Sequence, residues 1–204
     1  KAQELKFPLV VGAQLSIGKD RLVVLAENHE GYRNICRIIT QARMHAPKGE
    51  IHLELSTVCQ RNEGLLALYH SGLNLDLLRE AFKNRLYVMN PRHRLPHELT
   101  PRHKDLPRVA VHEVLYHHRQ RRPLQDVLTC IRHKVTLASA GRLIQPNAEH
   151  DLHSAEHFAQ LFHDCPEEVA RTLEIVQRCQ FSMAQLRYVY PAEHLAPGTT
   201  VQGR

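Results

Sequence analysis

The stretch FPLVVGAQLSIGKDRLVVLA, residues 7–26, decides the fold class. Val10-Val11 and Leu22-Val23-Val24-Leu25 are unbroken apolar runs, and Gly18-Lys19-Asp20 between them is turn-forming. A half-exposed strand alternates apolar with polar residues, whereas an unbroken run suits a strand covered on both faces, as in parallel sheets. Residues 7–15 and 21–26 therefore read as two short strands. Beyond them, Asn28 is a good helix N-cap, and the spacing predicts a helix over 28–44 with Tyr32, Ile35, Ile38, Ile39 and Ala42 as its core stripe. Strands follow at 65–69, 86–89 and 108–111, with a helix over 74–83 carrying Leu75, Leu78 and Phe82 on one face. Pro123 sits where a first helical turn tolerates proline, ahead of Leu124, Val127, Leu128 and Ile131. The order β-β-α-β-α-β-β-α predicts an α/β domain with a largely parallel sheet. Past Asn147 only helices are expected: 154–162, capped by Ser154, and 166–179 with Val169, Leu173 and Val176 inside. Pro191 and Pro197-Gly198 close the segment before a loose tail.

At 204 residues the chain fits one domain, or a domain with an appendage. It starts at Lys1, which reads as an excerpt or a trimmed product. No secretory signal is present, and no apolar run approaches the roughly 20 residues of a membrane helix. The five cysteines are widely spaced with no CxxC pair, which argues against a disulfide framework or a zinc ribbon and for a reducing cytoplasm. The formal net charge is +6 with His neutral, and it is concentrated. Between Arg92 and Lys134, Arg92, Arg94, Arg102, Lys104, Arg108, Arg119, Arg121, Arg122, Arg132 and Lys134 face only Glu98, Asp105, Glu113 and Asp126. Such an excess attracts phosphates whatever the base sequence, although a solvated basic surface accounts for it equally.

HEVLYHH, residues 112–118, suggests a metal site at first sight. It lacks the His pair at i and i+4 that puts two ligands on one helical face. On a strand, His112 and His117 point to opposite sides, while Glu113 and His117 share a face. Surface histidines beside arginines are the simpler expectation. No serine lies in a GxSxG setting, no cysteine in a catalytic motif, and the nine glycines form neither GxGxxG nor a P-loop.

RRPLQDVLTCIRHKVTL, residues 121–137, together with Asn147-Ala148-Glu149 and the helical run 167–179, closely resembles one place in one family. That place is the junction between the polymerase and histidinol phosphatase (PHP) domain and the polymerase body in bacterial C-family DNA polymerases. These are relatives of the replicative alpha subunit, and the error-prone branch matches best. Asn28-His29-Glu30-Gly31-Tyr32-Arg33-Asn34 carries the likeness as well. The resemblance implies a distorted, incomplete PHP-type (β/α) barrel over 1–145, the helical start of the polymerase body over 146–190, and a tail over 191–204. It implies a parent enzyme that adds deoxynucleotides with a divalent metal (Mg) in damage-tolerant synthesis, with DNA and accessory repair proteins as partners and no membrane. The Asp-x-Asp arrangement of such an active site is absent from the 204 residues, so polymerisation by this chain alone is not expected.

PHP domains bind metals through His and carboxylates at the C-terminal ends of barrel strands. The family's first motif, His-x-His, has no counterpart here. Gln14 stands where metal-competent relatives carry Glu, and an amide brings no charge to a hard cation. Met89 follows Tyr87-Val88 where an acid is usual, and His93 matches a histidine of the same region. His112-Glu113-Val114-Leu115 corresponds to a late motif, in which Leu115 cannot ligate. Gln14, His93, Glu113 and His117 are thus degenerate metal candidates; no metal, cofactor or catalytic residue is expected in this chain. Residues 92–108 also look too short for the family's helix, and 46–63 raises the same question. Arg119, Arg121 and Arg122 are the DNA-binding candidates, through phosphates rather than base edges. Arg122 is expected at the domain junction and Arg119 towards solvent or DNA. Two other readings stand: a metal-dependent phosphoesterase or exonuclease using Glu113, His93 and His117, and a purely structural docking module.

Overall fold

In the computed structural model, which describes residues 4–5, 9–44, 46–93, 103 and 105–187, the opening apolar runs form a hairpin. Strands β1 (Gly12–Ile17) and β2 (Asp20–Ala26) pair antiparallel around Gly18, whose φ of 61° is one glycine adopts without strain. Helix α1 (His29–Met44) starts as Asn28 suggests, its side-chain oxygen accepting the Gly31 N–H at 3.1 Å. Gly31 also lets this helix approach Gly64, because a Cβ there would overlap the Gly64 carbonyl. Then come α2 (Leu55–Gln60), β3 (Leu65–Tyr69), α3 (Leu75–Phe82), β4 (Leu86–Pro91) and β5 (Arg108–Val111). Helices α4 (Arg122–His133), α5 (Ala155–Leu161) and α6 (Pro166–Arg178) follow. Within residues 46–63 the chain forms α2. The first strand, expected over 7–15, runs instead over Gly12–Ile17, with 9–11 outside it. Most of 92–107, the sequence-predicted tail at 191–204 and residues 7–8 lie outside the described residues.

The sheet runs β1-β2-β3-β4-β5. It is mixed: β1–β2 and β2–β3 are antiparallel, β3–β4 and β4–β5 parallel. The expectation of a largely parallel sheet is corrected here, since a tight turn after β1 can only return the chain antiparallel. Among the described residues the sheet is open, with β1 and β5 at its edges, so no barrel is closed. Both faces are nevertheless covered, as the unbroken runs suggest. Leu22, Val24, Leu65, Ala67, Leu86 and Val88 pack with Ile35, Ile38, Val58, Leu78 and Phe82 from α1–α3. Leu66, Leu68, Tyr87 and Val109 on the other face meet Ile175 and Cys179 at the end of α6.

Polar contacts seat α6. Glu168, only 4% exposed, accepts a 2.7 Å hydrogen bond from the Asn90 amide and pairs with Arg108 Nε at 3.3 Å. Tyr87 donates to Glu174 at 2.6 Å, and Arg178 reaches Glu27 at 3.0 Å. Leu173 and Val176, expected inside, are exposed at 65% and 41%, because the buried side of this helix meets Asn90 and Arg108 as well as apolar side chains. Ile39 likewise lies at the outer margin of the α1 stripe and is exposed. No helix among the described residues is long and apolar enough to cross a membrane.

Candidate functional site

Strands β4 and β5 are parallel neighbours, so their C-terminal ends lie side by side, and each is closely followed by a histidine. His93 comes two residues after Pro91, and His112 directly follows Val111. The chain then leaves through α4 and returns. The Leu115 N–H donates to the His150 carbonyl at 2.9 Å, the Leu152 N–H to the Tyr116 carbonyl at 3.1 Å, and Tyr116 and Asp151 form an isolated parallel bridge. This stitching holds His150 and His153 over the strand ends. Ser154 then caps α5 by accepting the His157 N–H at 3.2 Å, which adds a fifth ring.

The result is a continuous imidazole stack. Ring centroids lie 4.1 Å apart for His150–His93, 5.0 Å for His93–His112, 4.3 Å for His112–His153 and 4.3 Å for His153–His157. Three of the ring nitrogens meet the backbone. His112 Nε2 meets the Asp151 carbonyl at 2.7 Å, the Glu113 N–H donates to His93 Nε2 at 3.1 Å, and His150 Nδ1 lies 3.2 Å from the Glu113 carbonyl. The Asn147 amide donates to the His93 carbonyl at 2.6 Å. His150 is 2% exposed, and its Nε2 is buried without a hydrogen-bond partner. Burial, and then the neighbouring His112, lower the pKa of His153, against the opposing pull of Asp151.

A cleft of about 550 Å³ opens beside the stack, lined by Gln14, Arg21, Met89, His93, Glu113 and His150, among others. Three of the four sequence-selected candidates, Gln14, His93 and Glu113, therefore share one cleft. The fourth, His117, is exposed and does not line it. Glu113 lies 3.7 Å from Arg21 and 3.5 Å from His150 Nδ1. The donor chemistry suits a hard cation poorly: Gln14 is neutral, Met89 is apolar, and Glu113 is the one carboxylate among the cleft residues named above. No group of three His, Cys, Asp or Glu among the described residues is arranged to hold a metal.

The expectation of surface histidines is corrected for His93, which is buried, and for His112, which is half-buried. His150, His153 and His157 were not singled out by the sequence. Arg119 pairs with Glu149 at 3.0 Å and Asp151 at 3.5 Å, so its guanidinium braces the returning segment. Arg122 pairs with Asp126 at 3.6 Å and donates to the Gln145 carbonyl at 2.8 Å. Arg121 is exposed.

No family model matches the chain. It is similar to the error-prone DNA polymerase of Pseudomonas aeruginosa, 36% identical over 211 residues that cover 97% of this chain and 20% of that protein. It is likewise similar to error-prone DNA polymerase 1 of Agrobacterium fabrum, 33% over 210 residues covering 95% and 19% respectively. The error-prone DNA polymerase of Brucella abortus is 32% identical over 222 residues, covering 98% and 20%. The chain thus spans about one fifth of the length of these relatives. Over nearly all of its length, the chain is thus similar to one segment of proteins named error-prone DNA polymerase.

Proposed function

We propose that this chain is the PHP-type amino-terminal portion of an error-prone C-family DNA polymerase, with the first helices of the polymerase body, and that it serves there as a structural, non-catalytic module. The observation that carries this reading is similarity across nearly the whole chain to one fifth of proteins named error-prone DNA polymerase. Residues 1–145 form the degenerate PHP-like part and 146–190 the start of the body. The parent adds deoxynucleotides with divalent metal in damage-tolerant synthesis and meets DNA and accessory repair proteins. Its catalytic carboxylates lie outside these 204 residues, which hold no Asp-x-Asp. The neutral Gln14 and the apolar Met89 favour a structural cleft over a phosphoesterase centre. Of the three candidate arginines, Arg121 takes the phosphate contact, because Arg119 and Arg122 are engaged by carboxylates.

The test replaces the matching fifth of the Pseudomonas aeruginosa polymerase with this chain and measures primer extension. The chimera is expected to extend a primed template. The isolated chain is expected neither to extend it nor to hydrolyse p-nitrophenyl phosphate when manganese or zinc is added. Synthesis by the isolated chain, metal-dependent hydrolysis, or a folded but inactive chimera overturns the reading.

A further inference from the structure

Helix α4 is amphipathic, yet among the described residues its apolar side has little to pack against. Leu124, Val127, Leu128 and Ile131 follow the i, i+3, i+4, i+7 pattern of one helical face and are all exposed, Leu128 at 51% and Ile131 at 67%. Cys130 is the one residue of the helix that is buried. The first turn has no side-chain cap, and Arg122 reaches Asp126 on the same helix and the Gln145 carbonyl. A 12-residue helix without an N-terminal side-chain cap is marginal in water without tertiary packing. The stripe therefore needs a cover.

We infer that α4 is the seat for the part of the polymerase outside this chain, docking a partner face that is apolar at its centre and acidic at its rim. The inference rests on the reading of the chain as a polymerase segment, and two observations select this occupant. The relatives carry about four fifths more polypeptide beyond the matched fifth, all of which must pack somewhere. The stripe is edged by exposed Arg121, Arg132, His133 and Lys134, while the sole acid on the helix, Asp126, is held by Arg122. A basic rim around an apolar centre selects an acidic rim and repels a second copy of itself.

The test compares amide exchange along α4 in the free chain and in the Pseudomonas aeruginosa chimera, for the native sequence and for L128E/I131E. Free α4 is expected to exchange at least 10-fold faster than α4 in the chimera, and the double variant to abolish that difference. In the free chain the variant leaves the melting temperature within about 3 °C, since both sites are exposed. Equal exchange in the two contexts, or protection that survives the double variant, overturns the inference. So does sedimentation of the free chain as a dimer that L128E/I131E dissociates, which assigns the stripe to a second copy. A native chimera with protected α4 but no primer extension counts against the polymerase reading and leaves the docking surface standing.

Discussion

Removing the Glu168 carboxylate tests how α6 is held to the sheet. The side chains of Glu168 and Arg108 are 6% and 17% exposed, and the Asn90 amide donates to Glu168 at 2.7 Å. Glu168→Ala leaves the largely buried Arg108 guanidinium and the buried Asn90 amide without their carboxylate. Breaking one side of a buried ion pair costs about 3–5 kcal/mol, because the partner charge stays desolvated and uncompensated. Against a total stability of roughly 5–15 kcal/mol, that is about a fifth or more of what holds the fold. Glu168→Gln keeps an acceptor for Asn90 and loses the charge, so its penalty should be smaller, about 1–3 kcal/mol. Replacing Glu168 and Arg108 together by Leu and Met should recover most of the loss, since an apolar pair carries no desolvation penalty. Urea unfolding at pH 7 followed by far-ultraviolet circular dichroism reads these four proteins and the single variant Arg108→Met. A Glu168→Ala penalty under about 1 kcal/mol, or additive penalties at the two positions, would refute the claim that this pair seats the helix.

Acidification should loosen the imidazole stack. The folded-state pKa of His153 lies below its ordinary 6.5, so its contribution is fully present above pH 6.5 and is lost as pH falls through the folded value. In that window stability should drop by up to about 1.4 kcal/mol per pH unit on account of this ring, and His153→Asn should show a correspondingly shallower fall. Parallel pH profiles for the two proteins would rule it out. In the chimeric polymerase, Arg121→Ala should reduce affinity for primed DNA on every sequence and shallow the salt slope by about one unit. Arg119→Ala should leave affinity and slope unchanged while lowering the melting temperature, because it releases Glu149 and Asp151. A slope altered by Arg119→Ala and not by Arg121→Ala would reverse the assignment.

Much of the fold was legible residue by residue. Unbroken runs such as Leu22–Leu25 and Leu65–Tyr69 marked strands covered on both faces, and Asn28 and Ser154 marked helix starts, because burial pattern and capping are set by neighbours in the chain. The family likeness of residues 121–137 was likewise a property of the sequence. Strand direction was not, since whether β2 and β3 run antiparallel depends on how the α1–α2 connection crosses the sheet. The amphipathic pattern of α4 shows that a face needs a cover, and only the structure shows that the described part of the chain leaves Leu128 and Ile131 exposed. The stack draws His93 and His112 from strand ends and His150, His153 and His157 from the returning segment. Periodicity reports that a side chain is buried, whereas the partner it meets is decided by contacts between residues far apart in sequence, which exist only once the sheet and the loop that crosses its end are in place.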